Sequence, residues 1–405
     1  MTTEELDEYA RVVLEVGLDL RPGKDVAINA MVEHAPFARA LAEQAYARGA
    51  RYVDIWYWDP HGKASRLRHA PADTLHETPA WLDARYRTLA DRQGTIVNVV
   101  GDPAPDLLAG VDPARAGVDR MPGLQSRFDV QANGEVEWTF ACYPTEAWAR
   151  RVLGEPDVER LWQHIRRVMR LDAADPVAAW TARMAELHER CARLTEEAFS
   201  AIHLQGGETD LTVGLLPRHR WGTAELVSRA GIRHIAALPT EEIYTTPDPA
   251  LTRGTVAASR PLALGGSVVR DLQLDFADGR IVDVRASAGA DVVRGHVATD
   301  DGAAFLGEIA LVDDSSPLQQ SGILFYETLL DESAASHLAW GSGIPDGHQD
   351  YDPQRVGGDG LEAALPINRS ATHTDFCFGG PGVDVTGIRA GGERVPIMRG
   401  ERWVL

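Results

Sequence analysis

Residues able to bind a metal or move a proton gather in four stretches of the second half of the chain. "LPTEEIYTTPD" (238–248) carries adjacent Glu241 and Glu242, and "FLGEIALV" (305–312) sets Glu308 in an otherwise apolar run. "LLDESAASHLAWG" (329–341) offers Asp331, Glu332 and His337, and "ATHTDF" (371–376) offers His373 and Asp375. In an extended strand, residues i and i+2 point to the same side. His373 and Asp375 are therefore either two ligands of one ion or a polar pair on a solvated face. Glu308 says more by physics alone. Its strand neighbours are Leu306, Gly307, Ile309 and Ala310, so a carboxylate there needs a cation or a salt bridge to an arginine. If 329–341 is helical, Glu332 and His337 diverge by about 140° and need not share an ion. His337 alone reads more readily as an ordinary helix histidine than as a ligand.

Several carboxylates with two imidazoles suit two adjacent divalent cations. Carboxylates bridge metals and neutralise their charge, while imidazole favours zinc, cobalt or iron. Two ions about 3.5–4 Å apart acidify a bridging water and polarise a carbonyl, which is hydrolase chemistry. The spacing is not that of an HExxH helix, and composition alone does not assemble the four stretches.

The chain that must position them has 405 residues, enough for two or three domains. Its formal charge of −20 argues against nucleic acid or an anionic membrane as partner. The only two lysines, Lys24 and Lys63, fit no phosphate-binding loop. The N-terminus is acidic and amphipathic, unlike a signal peptide, and no run approaches the roughly 18 apolar residues of a membrane span. Three separated cysteines, Cys142, Cys191 and Cys377, fit a reducing compartment. The expectation is a soluble cytoplasmic protein.

A capping box, Thr2 with Glu5, opens a helix carrying Leu6, Tyr9, Val13 and Val16 on one face. Strands at 25–30, 52–58 and 95–101 alternate with helix-length segments such as 36–49, which predicts βαβ units and a largely parallel sheet. Residues 145–199 read as helical. Beyond 200 come short β segments: 209–215, a hairpin over 272–286 turning at Asp278-Gly279, and strands at 304–312 and 371–378, with a helix around 330–340. The division predicted is an α/β domain with a helical connection over 1–199 and a β-rich domain over 200–405.

The four motifs, in order and spacing, closely resemble those of the M29 metallo-aminopeptidases, the thermophilic aminopeptidase or aminopeptidase T/S type. "LDEYARVVLEVGLDLRPGKDVAIN" and "GETDLTVGL" resemble that family too, so the likeness covers nearly the whole chain. It implies a two-domain thermophilic metalloprotease-like fold of α/β plus α+β type, with a dinuclear metal site in the C-terminal domain, and a homodimer. It implies release of N-terminal residues from peptides or small amides with a free N-terminus, supported by zinc, cobalt or magnesium. Carried over by residue, Glu242, Glu308, Glu332, His337, His373 and Asp375 form the metal site. Glu308 bridges the ions, and Glu241 is the weaker alternative to Glu242. Ser333 stands where the family's "DEN" motif has Asn. The family also carries a tyrosine seven residues after the histidine, where this chain has Ile344 in "GSGIPDG". Isoleucine has no hydrogen to donate to an oxyanion. Tyr351 is the substitute if the loop is rearranged, and the segment before "NRSATH" is long.

The expected mechanism has two ions activating a bridging water, with Glu308 or Glu332 passing its proton to the leaving amine. One rival is a mononuclear Fe(II) site of His337, His373 and Asp375, since some ring-cleaving dihydroxypyridine dioxygenases are similar to this fold family. Retention of Glu242 and Glu308 favours the two-ion hydrolase. A second rival is a metal-binding protein without peptidase activity.

Overall fold

The computed structural model describes residues 1–405 except 109, 113, 114, 116–118, 120, 122–124, 265, 266 and 356–363, so part of the long segment before "NRSATH" lies outside the described residues. The chain divides into two compact units. One holds Met1–Thr181 with Glu225–Pro239 and residues 353–355; the other holds Ala182–Ala224, Thr240–Asp352 and the described part of the stretch after 357. The first boundary falls inside the helix Pro176–Glu197, and the chain returns to the first unit twice, over Glu225–Pro239 and again from Pro353.

The first unit is built on a parallel sheet of β1 (Asp25–Met31), β2 (Tyr52–Trp58), β3 (Thr95–Val100) and β4 (Glu137–Cys142), in the order β2-β1-β3-β4. Parallel neighbours need crossovers, supplied by α2 (Ala35–Ala47) between β1 and β2 and by α3 (Pro60–His69) and α4 (Ala80–Asp91) between β2 and β3. β1 is buried at every position but Met31, as expected of an inner strand of a parallel sheet. The capping box of Thr2 and Glu5 starts α1 (Thr3–Val12). Its Tyr9 stacks on Phe37 of α2, ring centroids 4.4 Å apart. A hairpin of β7 (Glu225–Val227) and β8 (Arg233–Ile235) also belongs here, Phe140 N–H donating to the Ala236 carbonyl. No helix among the described residues is long and apolar enough to cross a membrane.

The second unit is β-rich. β5 (Ala201–Gly206), β6 (Thr209–Gly214), β10 (Arg253–Ala257), β13 (Gln273–Ala277), β14 (Arg280–Arg285), β18 (Asp384–Ile388), β19 (Arg394–Arg399) and β20 (Arg402–Trp403) form one antiparallel sheet. The hairpin turning at Asp278-Gly279 is present as expected. β11 (Leu262–Leu264) and β12 (Ser267–Val269) make a separate hairpin.

A second antiparallel sheet holds all four motifs, in the order β17-β16-β15-β9. β9 is Glu242–Thr245, β15 is Leu306–Val312, β16 is His337–Gly341 and β17 is His373–Cys377. The helix expected around 330–340 is thus corrected. A short helix covers Thr328–Glu332 and stops at Ser333, and His337 opens a strand buried at all five positions. Ala and Leu in "SAASHLAW" suit a helix, but pairing with β15 on one side and β17 on the other decides the conformation.

Candidate metal centre

Strand register determines which side chains meet. Directly opposed residues of antiparallel strands share a face, as do i and i+2 within one strand. Val312 faces Glu242, and Ala310 faces both Tyr244 and His337. Glu308 faces Ala339, which faces Asp375; Gly341 faces His373. One face of this sheet therefore presents Glu242, Tyr244, Glu308, His337, His373 and Asp375. Ala310, Ala339 and Gly341 lie among them and leave room for the longer groups. The other face carries Ile243, Ile309, Leu311, Leu338, Trp340 and Phe376, all buried.

Leu306 would share Glu308's face in a regular strand. A bulge at Gly307 shifts the register by one, so Leu306 pairs with Trp340 on the apolar side while Glu308 turns to the polar one. A Cβ on Gly307 would lie 2.1 Å from the Ser342 carbonyl oxygen, which is why the bulge needs glycine.

Two donor groups result, Glu242–Glu308–His337 and Glu308–His373–Asp375, each with its ligand atoms within 4.8 Å of one another. Glu308 belongs to both. Its Oε1 is 3.9 Å from His337 Nε2 and its Oε2 is 3.1 Å from His373 Nε2. His337 Nε2 is also 3.7 Å from Glu242 Oε2, and His373 Nε2 is 3.4 Å from Asp375 Oδ1. Among the described residues the partners of Glu308 are thus imidazoles, not the arginine that a plain buried salt bridge would use. Each histidine donates Nδ1–H to a backbone carbonyl, His337 to Ala335 at 3.1 Å and His373 to Ser342 at 2.8 Å. That contact aims Nε2 at the carboxylates and suits it to hold a cation. Ser333 Oγ donates to Glu242 Oε2 at 2.9 Å and orients that carboxylate.

Electrostatics mark the same cluster. Burial, and then the charge of Glu308, raise the Glu242 carboxyl to about 7 against the pull of His337. Burial, with Glu242, Asp375 and Glu308, pushes Glu332 well above the ordinary carboxylate range. Burial opposes charge on His337 and His373, but the surrounding carboxylates outweigh it and raise both. Asp375 is lowered: burial works against its charge, and the hydrogen bond and charge of His373 win. Four carboxylates against two imidazoles in a low-dielectric site is an excess of negative charge that divalent cations would neutralise. The mixed oxygen and imidazole donors fit such ions.

The remaining expected residues fall as follows. Glu332 ends the short helix, outside both donor groups, yet its carboxyl feels three of their carboxylates, so the predicted 140° divergence from His337 does not arise. Glu241 leaves the cluster: its Oε2 pairs with Arg183 Nε at 2.8 Å, and Arg183 also reaches Asp313 at 3.3 Å. This buried network anchors the start of β9 and the end of β15. Tyr351 packs against Leu216, Leu365 and Ile367. The phenol that does share the donor face is Tyr244, which the sequence reading passed over although it is the i+2 neighbour of Glu242. Tyr244 donates its hydroxyl to Asp346 Oδ2 at 2.7 Å.

A shared carboxylate between two imidazole-bearing donor groups prompts comparison with known metalloenzymes. Residues 2–403 match the family described as thermophilic metalloprotease (M29). The chain belongs to that family. It is 38% identical to aminopeptidase T of Thermus aquaticus, covering 100% of this chain and 99% of that protein. It is 34% identical to aminopeptidase AmpS of Bacillus subtilis (strain 168), covering 99% and 98%. The solved structure of wild-type AmpT from Thermus thermophilus superposes with a TM-score of 0.89 at 35% identity, covering 99% of each chain. The M29 fold, with its α/β and β-rich parts, is therefore the fold of this chain.

Proposed function

We propose that this chain is a metal-dependent aminopeptidase that hydrolyses the N-terminal bond of peptides or related small amides. The observation that carries the reading is Glu308, whose two oxygens each face the imidazole of a different donor group. Membership of the M29 family and near full-length likeness to proteins named aminopeptidases support it.

In this reading Glu242, Glu308 and His337 hold one ion, and Glu308, His373 and Asp375 hold the other. Bound divalent cations supply Lewis acidity, lowering the pKa of water and polarising the scissile carbonyl. Glu332, buried beside the carboxylates of both donor groups, would as a carboxylate take the proton of the attacking water and deliver it to the leaving amine. A third of the His373 side chain is exposed, so substrate enters on that side. Tyr244 takes the role of the phenol missing at Ile344. Its hydroxyl donates to Asp346 Oδ2, which fixes the phenol on the donor face where the scissile carbonyl would lie. Zinc or cobalt suits the imidazoles best, with magnesium a weaker fit. A homodimer and a cytoplasmic setting, which the three free cysteines suit, complete the proposal.

The Fe(II) alternative needs His337 and His373 on one ion, whereas these residues fall in different donor groups. The test is chelation, dialysis and restoration with zinc or cobalt, following hydrolysis of leucine p-nitroanilide. Turnover should disappear and return with metal. Oxygen uptake on a dihydroxypyridine without amide hydrolysis would overturn the reading.

A further inference from the structure

A pocket with about 580 Å³ of empty space, part of it open to solvent, runs from the metal-site carboxylates into apolar surroundings. Glu332 and Asp375 form one end. The walls include Leu262, Ala263 and Val268 of the β11–β12 hairpin and Leu324 from the segment before the short helix. Ala263 and Val268 are directly opposed in the hairpin, so their side chains share one face. Asp331 also lines the pocket, but its carboxylate is engaged by the backbone N–H groups of Phe325 at 2.7 Å and Glu327 at 3.2 Å. Those bonds hold the loop that carries Leu324 and engage Asp331, so the negative charge at this end of the pocket comes from Glu332 and from Asp375, which the aminopeptidase reading already commits to an ion.

We propose that this pocket is the subsite for the substrate's N-terminal residue and selects apolar side chains of leucine or phenylalanine size. The proposal rests on the aminopeptidase reading above. The substrate's ammonium sits at the carboxylate end, beside the ions, so the side chain on the same carbon is directed along the apolar walls. A small side chain leaves those walls wet, and an acidic one meets Glu332 and Asp375. Ala263, exposed at the mouth, and Leu324 set the depth and width.

The test uses the full-length, metal-loaded enzyme and the p-nitroanilides of leucine, phenylalanine, alanine and glutamate. Leucine and phenylalanine should exceed alanine at least about tenfold in kcat/KM, with glutamate the poorest. Ala263→Phe should lower kcat/KM for leucine and phenylalanine about tenfold while alanine changes less than about twofold. Leu324→Ala, which widens the pocket instead of filling it, should raise phenylalanine relative to leucine. Metal content should match the wild type in both. A preference for glutamate or alanine in the wild type would overturn the assignment, as would leucine-to-alanine and phenylalanine-to-leucine ratios unchanged in both active variants. Wild-type enzyme that binds metal yet hydrolyses none of the four would overturn the aminopeptidase reading itself, and this subsite with it.

Discussion

Glu308 Oε2 lies 3.1 Å from His373 Nε2, while its Oε1 points to His337 on the other side. A carboxylate with one oxygen committed to each of two donor groups couples them, so neither group is complete without it.

Glu308→Ala should therefore strip both sites together. Outer partners of a metal site alone are worth about 10–100-fold in affinity, so losing a shared ligand should cost more than about a hundredfold in metal affinity and abolish hydrolysis. Metal analysis after dialysis and p-nitroanilide turnover check this; a variant that keeps its metal and its rate removes the bridging assignment.

Tyr244→Phe removes one oxygen from the donor face and keeps the ring. Loss of an oxyanion donor typically costs about 10²–10³ in kcat, and a fall of that size is expected with KM and metal content little changed. Adding Ile344→Tyr to that variant should restore part of the rate. An unchanged kcat in Tyr244→Phe would assign the role elsewhere.

Gly307→Ala forces a Cβ to within 2.1 Å of the Ser342 oxygen, so the bulge must shift. Overpacking of this kind costs about 1–3 kcal/mol. Denaturant unfolding should register that loss, and metal content should fall as Glu308 turns from its donors. An unaltered midpoint with full metal content would show that the bulge tolerates a side chain.

His234, on β8 and buried beside Trp138 with ring centroids 6.4 Å apart, has its pKa lowered by burial to about 4. The unfolded imidazole takes its proton near 6.5, so the unfolded state binds more protons between those values. Stability of the first unit should fall as pH drops from about 6.5 to 4, by up to about 3 kcal/mol. Unfolding followed by tryptophan fluorescence at pH 7 and pH 4.5 reads the difference. His234→Leu should flatten the dependence, and an equal pH slope in that variant would exclude His234 as its source.

Which of these features the sequence discloses follows from the range of the interactions behind them. The parallel strands β1, β2 and β3 are legible because buried strands read as apolar runs between helix-length segments. His373 and Asp375 are legible because period two is local. Glu308 stands out because a carboxylate in an apolar strand demands a partner. His337 reads as helical because "SAASHLAW" has no decisive local period, and only pairing with β15 and β17 makes it a strand. The bulge at Gly307 depends on Ser342, and the Tyr244–Asp346 bond joins residues 102 positions apart. Neither leaves a local pattern.

The most direct test of the two-ion account is a metal count per chain, correlated with turnover during stepwise loading of chelated protein with zinc or cobalt. The account predicts two ions per chain, with leucine p-nitroanilide hydrolysis reaching its plateau only as the second is bound. Full hydrolytic activity with a single ion per chain would contradict it.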